Sequence, residues 1–256
     1  MSFTYLKDYG VAPRQMELFQ QYLKILLEWN KKINLTAITE PNEVEIKHYL
    51  DSLLLNRCSM WAEMARKEEN CDFRVADVGG GAGFPGIPLR IVTERMRLDI
   101  IEATGKRVTF LQALTEALDL KEVRAFHLRA EEAGQNPAFR EQYDWVLSRG
   151  VAALPVLLEY CLPLVKKGGY LAAYKGPAGE MEAETGKKAA VILGGKLMEI
   201  FKASLPGNQG ERNILIYRKE KPSPAQYPRK PGLPAKQPLG GHRQILSSQT
   251  NNSSRS

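Results

Sequence analysis

The stretch FRVADVGGGAGFPGIPLRIV, Phe73 to Val92, decides the fold. An apolar, β-prone run ends in Asp77. Gly79, Gly80, Gly81, Gly83 and Gly86 follow, and then an apolar run of helical character begins. A turn this rich in glycine lets backbone N–H groups approach a ligand with no side chains in the way. Set between a strand and a helix, it reads as the nucleotide-binding corner of an α/β sheet.

Downstream of that corner the pattern alternates. Strands are predicted at 73–78, 97–102, 123–128, 144–148 and 169–174, with helices at 86–93, 106–118, 130–134 and 152–162 between them. Such alternation implies parallel pairing and a doubly wound sheet. A helix near 179–193 is then followed by two strand-like runs, Lys196 to Ala203 and Asn213 to Tyr217. Only Ser204 to Arg212 separates them, too short for a crossover helix, so the two should pair antiparallel. The expected fold is α/β: a doubly wound, mostly parallel seven-stranded sheet with an N-terminal helical lobe.

Upstream of Phe73 no strand is predicted. Residues 13–35 read as an amphipathic helix, with Met16, Phe19, Leu23, Leu26 and Trp29 at three- and four-residue steps. The polar run Asn30 to Asn34 interrupts it. Thr39 is placed to cap a second helix, with Pro41 in its first turn and Ile46, Leu50, Leu53 and Leu54 on the buried face. The expected organisation is a helical lobe over 1–70, joined through the charged stretch Arg66 to Asn70, a nucleotide-binding domain over 71–220, and a tail over 221–256. The tail is rich in Pro, Gly, Ser, Asn and Gln, without periodicity, and is expected to be extended and largely disordered.

Charge is distributed unevenly. Residues 218–256 hold eight Lys/Arg and one acid, Glu220, so the whole net charge of +7 lies there and the preceding residues are neutral overall. A basic tail suits a polyanion such as RNA, and an unselected solvated tail would read the same way. No apolar run reaches the ~18 residues of a membrane span, and Lys7 and Asp8 interrupt any apolar signal core at the N-terminus. Cys58, Cys71 and Cys161 lack metal-ligand or disulfide spacing, so they read as reduced thiols and no metal is expected.

Two fingerprints overlap at the corner. Gly81 to Gly86 fits GxGxxG, and Asp77 to Gly83 fits DxGxGxG, the pattern of S-adenosylmethionine (AdoMet) enzymes. Both cofactors want an acid after the second strand for the ribose hydroxyls, and Glu102 stands there. Glycines and acid together thus indicate an adenosine ligand and leave NAD and AdoMet open. Three features favour AdoMet: a carboxylate, Asp77, at the strand end; no second mononucleotide half; and the closing antiparallel pair. No hydride-transfer set stands out, and His127 reads as a core or surface residue.

The motifs WNKKINLTAIT (Trp29 to Thr39), IKHYLDSL (Ile46 to Leu53), DVGGGAGFPGIPL (Asp77 to Leu89), LRAEE (Leu128 to Glu132), SRGVA (Ser148 to Ala152), YKG (Tyr174 to Gly176) and YPRKPGLPAKQPL (Tyr227 to Leu239) closely resemble the ribosomal RNA small subunit methyltransferase G family, also called glucose-inhibited division protein B. The resemblance runs from about residue 16 to 239. It implies a bacterial or organellar cytoplasmic enzyme that uses AdoMet to methylate N7 of one guanine, guanine 527, in a 16S rRNA hairpin loop near the decoding centre. It also implies residue roles. Asp77, Gly79, Gly81 and Phe84 would meet the cofactor from the glycine loop. Glu102, Ala103 and Thr104 would hold the ribose and adenosine side, and Ala130 and Glu131 would flank the adenine. Arg149 would lie beside the reacting end, the nearest candidate to a catalytic residue in a site where none is required. Asn30, Lys31, Lys32, Asn34, Lys175, Arg229 and Lys230 are expected to contact RNA, and His48 and Asp51 to serve lobe packing or RNA contact. A monomer is expected, with the small ribosomal subunit as partner. The family usually carries Ser or Thr at Gly80 and Ala at Gly150; both departures shrink a side chain. An NAD-dependent oxidoreductase and a non-catalytic ribosome-assembly factor are the competing readings.

Overall fold

A computed structural model describes residues 3–66 and 72–240. Cys71, most of the linking stretch read at 66–70, and the last sixteen residues of the tail lie outside the described residues.

The N-terminal part is helical. α1 (Thr4–Asp8) is followed by α2 (Pro13–Asn30), which buries Phe19, Tyr22, Leu23 and Leu26 at helical spacing. α2 ends where the Asn30 side chain takes over backbone partners: its oxygen accepts the N–H groups of Leu35 (2.7 Å) and Thr36 (3.0 Å), and its amide donates to Thr36 O (3.0 Å). α3 (Pro41–Val44) begins with Pro41 after Glu40, one residue later than the Thr39 cap expected. The helix does not stay α. Glu45–Leu50 forms a π-helical turn, then come α4 (Asp51–Leu53) and a 3₁₀ turn, Leu54–Arg57. The expected inward residues Ile46, Leu50, Leu53 and Leu54 are buried, and the extra residue of the π turn also buries Glu45 and Tyr49. α5 (Ser59–Arg66) completes this part.

The rest alternates as expected: β1 (Phe73–Val78), α6 (Gly86–Val92), β2 (Met96–Glu102), α7 (Gly105–Ala117), β3 (Val123–His127), α8 (Ala130–Gln135), β4 (Tyr143–Arg149), α9 (Leu154–Cys161), β5 (Val165–Lys175), α10 (Gly179–Ile192), β6 (Gly195–Ser204) and β7 (Glu211–Lys219). The described strands form one seven-stranded sheet in the order β3-β2-β1-β4-β5-β7-β6. The first five are parallel, and β7 runs antiparallel to both β5 and β6.

Each face of the sheet is covered. On one face α9 and α10 pack Leu154, Leu157, Leu158 and Ala189 against Val78, Val146 and Leu215. On the other, the N-terminal helices pack Phe19, Leu26, Tyr49 and Leu53 into one continuous core with Val75, Leu98, Leu147 and Ile216. Trp61 of α5 meets Trp145 of β4 edge-on at 5.2 Å. The helices of 4–66 therefore have no core of their own; burying their apolar stripe requires the sheet.

The expectation of a disordered tail fails for residues 221–240. This segment is ordered and lies across α8 and α9, ending in α11 (Leu233–Lys236). Its composition offers little secondary structure, so side chains distant in sequence satisfy its backbone instead. The Arg140 guanidinium donates to Tyr227 O (2.7 Å) and Ser223 O (2.8 Å). Glu141 accepts the Ser223 N–H at 2.8 Å, and the wholly buried Lys219 donates to Ser223 Oγ at 2.8 Å.

Candidate active site

The chain runs outward from β1 through β2 to β3 and then returns to β4, so the sheet order reverses between β1 and β4. Ligands of open α/β sheets bind in the crevice at the carboxyl ends of such a strand pair. Here the two loops touch. Gly79 follows β1 at φ 72°, and a Cβ on it would stand 2.4 Å from Val151 Cγ2, in the loop after β4. Only glycine allows both that backbone conformation and that approach.

Asp77 closes β1. It is fully buried, and its Oδ2 accepts the Gly86 N–H at 2.8 Å, which fixes the start of α6. Its Oδ1 has no hydrogen-bond partner among the described residues. Burial pushes the carboxyl up to about 7, against the Gly86 N–H and Arg149, which favour its charged form; Glu102 adds to the rise. The glycine loop wraps this carboxylate: a Cβ on Gly80 would lie 3.2 Å from Asp77 Oδ2 and 2.6 Å from Ile100 Cγ2, so the departure at Gly80 matches its neighbours here.

Glu102 closes β2 and is nearly buried. Its Oε2 accepts the Gly81 N–H (3.1 Å) and its Oε1 the Thr104 N–H (2.8 Å), with the Arg107 guanidinium 4.0 Å away. One carboxylate thus joins the glycine loop to the loop after β2, where Ala103 and Thr104 are exposed. A carboxylate has about four lone-pair directions, so acceptor capacity remains for hydroxyl groups. Ala130 lies at the N-terminus of α8 after β3, and Leu128 N–H donates to Glu102 O at 3.1 Å, which brings that loop to the same edge. The Glu131 side chain is buried and accepts the Gly232 N–H at 2.9 Å.

Phe84 is held in an aromatic column. Tyr22 stacks on it at 5.4 Å, His48 at 4.5 Å, and the Arg149 guanidinium lies 5.1 Å from its ring centre. Arg149 ends β4 and donates to Asp51 Oδ2 at 2.6 Å, with His48 Nδ1 3.3 Å from its other terminal nitrogen. Arg212 of β7 pairs with the second Asp51 oxygen at 2.9 Å. The far ring nitrogen of His48 is 2.8 Å from Thr36 Oγ1. Burial first, and then Arg149, push the His48 imidazole down to about 3, so it is neutral at physiological pH. The π turn brings His48 and Asp51 here. The spacing of three residues places them on one helical face, and Thr36 lies in the WNKKINLTAIT motif without a role read for it, but no motif signals Arg212, which arrives through the tertiary fold.

The residues expected to meet RNA divide in two. Lys31, Lys32, Asn34 and Lys230 are exposed. Three others are engaged within the fold. Asn30 spends its amide on the α2 terminus. Lys175 is nearly buried, bound to Ala152 O (2.8 Å) and paired with Glu182 (2.7 Å). Arg229 is bound to the fully buried Glu159 through its backbone N–H and Nε (2.8 Å each) and a terminal nitrogen (2.6 Å). For Arg229 the partner is a fully buried charge that must be neutralised, and that demand outweighs exposure to solvent.

The family described as GidB, rRNA small subunit methyltransferase G, matches residues 15–214. The chain is 45% identical over 235 residues to the Ribosomal RNA small subunit methyltransferase G of Bacillus subtilis, covering 92% of this chain and 95% of that protein. It is 45% identical over 233 residues to the protein of the same name from Listeria monocytogenes, covering 91% and 94%. The chain belongs to this family. As a member of the rRNA small subunit methyltransferase G family it is an AdoMet-dependent methyltransferase of small-subunit rRNA. Solved structures share the fold. A putative O-methyltransferase from Klebsiella pneumoniae has a TM-score of 0.53 at 12% identity, covering 78% of this chain and 90% of that one. A 16S rRNA (adenine(1408)-N(1))-methyltransferase from Catenulisporales acidiphilia has a TM-score of 0.51 at 14% identity, covering 64% and 91%.

The family's cofactor fits this corner. The orphaned Asp77 Oδ1 offers an acceptor for an ammonium group or a bridging water, and Glu102 retains capacity for ribose hydroxyls. No helix among the described residues is long and apolar enough to cross a membrane.

Proposed function

We propose that this chain methylates N7 of a guanine in a 16S rRNA loop, guanine 527 in the family's target, by direct in-line transfer. AdoMet supplies the electrophilic methyl group on its sulfonium. Asp77, Gly79 and Gly81 hold its amino-acid end, with Phe84 as the packed support of the loop. Glu102, Ala103 and Thr104 take the ribose, and Ala130 and Glu131 wall the adenine. Arg149 stands beside the reacting end.

One observation carries the choice of N7: among the described residues, neither His48 nor Asp51, the ionisable groups beside Arg149 on the β4 side of the crevice, is a competent general base. Asp51 is held between Arg149 and Arg212, and His48 is a neutral imidazole with a strongly lowered pKa. Methylation of a guanine amine or N1 requires a proton to leave, and a base with a pKa near 3 is a poor acceptor at neutral pH. N7 already bears a free lone pair. The task is then orientation, with N7 ~3 Å from the methyl carbon. N7 lies on the major-groove edge, which is deep and narrow in RNA duplex, so the target guanine must be in a loop or splayed out. The exposed Lys31, Lys32, Asn34 and Lys230 support contact with phosphates. The reading includes a monomer acting in the cytoplasm, in keeping with a ribosomal substrate.

The test is transfer of labelled methyl from AdoMet to 16S rRNA or 30S particles lacking the modification, followed by nucleoside analysis. A single labelled 7-methylguanosine is expected. Label in a different nucleoside, or AdoMet binding with no transfer to either substrate, overturns the reading.

A further inference from the structure

We infer that the ordered C-terminal strap, residues 223–239, is a working part of the cofactor site: docked on α8, it fixes the adenine-side wall at Ala130–Glu131 and so sets AdoMet affinity. This rests on the assignment of that wall proposed above.

α8 is six residues long, Ala130–Gln135, and a helix that short does not hold itself in place. The strap holds it at successive positions. Glu131 accepts the Gly232 N–H at 2.9 Å. Gly134 packs so closely on Pro228 that a Cβ there would lie 2.6 Å from Pro228 Cγ. Gln135 donates to Pro228 O at 2.7 Å. Arg140, beyond the helix end, donates to Gly134 O and Tyr227 O, both at 2.7 Å, and so staples helix to strap. The strap is anchored separately, on the rigid sheet-packed α9, where Arg229 grips the buried Glu159. The strap thus ties α8, which also packs directly on α9 through Ala133, to that helix by a second set of contacts. Glu131 is buried with its carboxylate accepting the strap's Gly232 N–H, so the role proposed for this wall falls to the Ala130–Glu131 backbone. Arg229, Pro228 and Gly232 are positioning residues.

Linkage makes this testable in the unmodified protein. If strap docking raises AdoMet affinity by some factor, AdoMet must favour the docked strap by the same factor. The experiment is hydrogen exchange on the full chain with and without saturating AdoMet. It reads the amides of Gly232, Leu233, Lys236 and Gln237, which are bonded to Glu131, Lys230 O, Gly232 O and Leu233 O. The β6–β7 amides report general stabilisation. Strap exchange is expected to slow by about 10-fold or more beyond that control. A full-length variant carrying Glu159→Met with Arg229→Met removes both charges and leaves neither unpaired. Calorimetry on it is expected to show an AdoMet Kd raised by about the same 10-fold factor, with 16S rRNA affinity within about twofold. A strap that only holds the fold together would exchange no more slowly than the β6–β7 control, and the double variant would lose thermal stability without losing AdoMet affinity; that result overturns the inference. If the unmodified chain binds no AdoMet, the functional reading itself fails.

Discussion

Asp77 shows how a single residue can oppose stability at a position proposed to bind the cofactor. Its carboxyl is driven up to about 7 by burial, from an ordinary value near 4. Between those values the unfolded chain releases the proton and the folded chain keeps it. Stability therefore falls as pH rises from about 4 to 7 and levels off above, a loss on the order of a few kcal/mol. Asp77→Asn keeps an oxygen for the Gly86 N–H and removes the buried charge. It is expected to be more stable than the unmodified chain in urea at pH 8, to lose that advantage near pH 4, and to bind AdoMet more weakly at pH 8, where the unmodified carboxylate is charged. A variant equally stable at the two pH values, or one that binds AdoMet as tightly, would refute this. The position of Asp77 at a strand end was legible in the sequence, because an apolar run stops there. Its full burial was not, since that depends on Gly80 and Gly86 folding back over it.

At the scale of elements, strands and crossover helices were legible to within a few residues because each carries its own periodicity. Two elements were not. The π turn Glu45–Leu50 contains one residue more than an α pattern accommodates, and apolar spacing does not distinguish the two. The strap at 221–240 has a composition that reads as disorder, since its order comes from Arg140, Glu141 and Glu159, all distant in sequence. The π turn has a testable consequence at His48. A histidine lowered to about 3 is less protonated folded than unfolded between that value and about 6.5. Its contribution to stability is therefore full above pH 6.5 and is lost progressively as pH falls toward 3. Side-chain NMR is expected to show the His48 ring unchanged from pH 8 to about 4 while an ordinary exposed histidine titrates near 6.5. A His48 titration near 6.5 would mean that Arg149 and the Phe84 column do not enclose the ring.

On the scale of the whole molecule, the position of the site follows from topology: reversal of strand order between β1 and β4 opens one crevice, and the loops bearing Gly79, Glu102, Ala130 and Arg149 all end there. The corner's location was readable from the glycine-rich turn between a strand and a helix, whereas the reversal of strand order that places it, and the packing of the N-terminal helices and of the strap around the sheet, required the folded structure. The net charge illustrates the gap. All of +7 lies in residues 218–256, which suggests a salt-sensitive RNA arm. Yet Lys219 is fully buried and Arg229 neutralises a buried glutamate, so part of that charge belongs to the core. Ending the chain at Glu220 tests which role dominates. It strips Glu159 of its partner, at about 3–5 kcal/mol for a broken buried pair, and removes the buried Ser223, Pro234 and Leu239. A loss of that size lowers the melting temperature of a domain this large by about 6–20 °C. The shortened chain is therefore expected to melt at least that much earlier, with weaker RNA binding at every salt concentration because less of it is folded. A chain that melts unchanged, and loses RNA affinity only at low salt, would show instead that the arm acts purely through its charge.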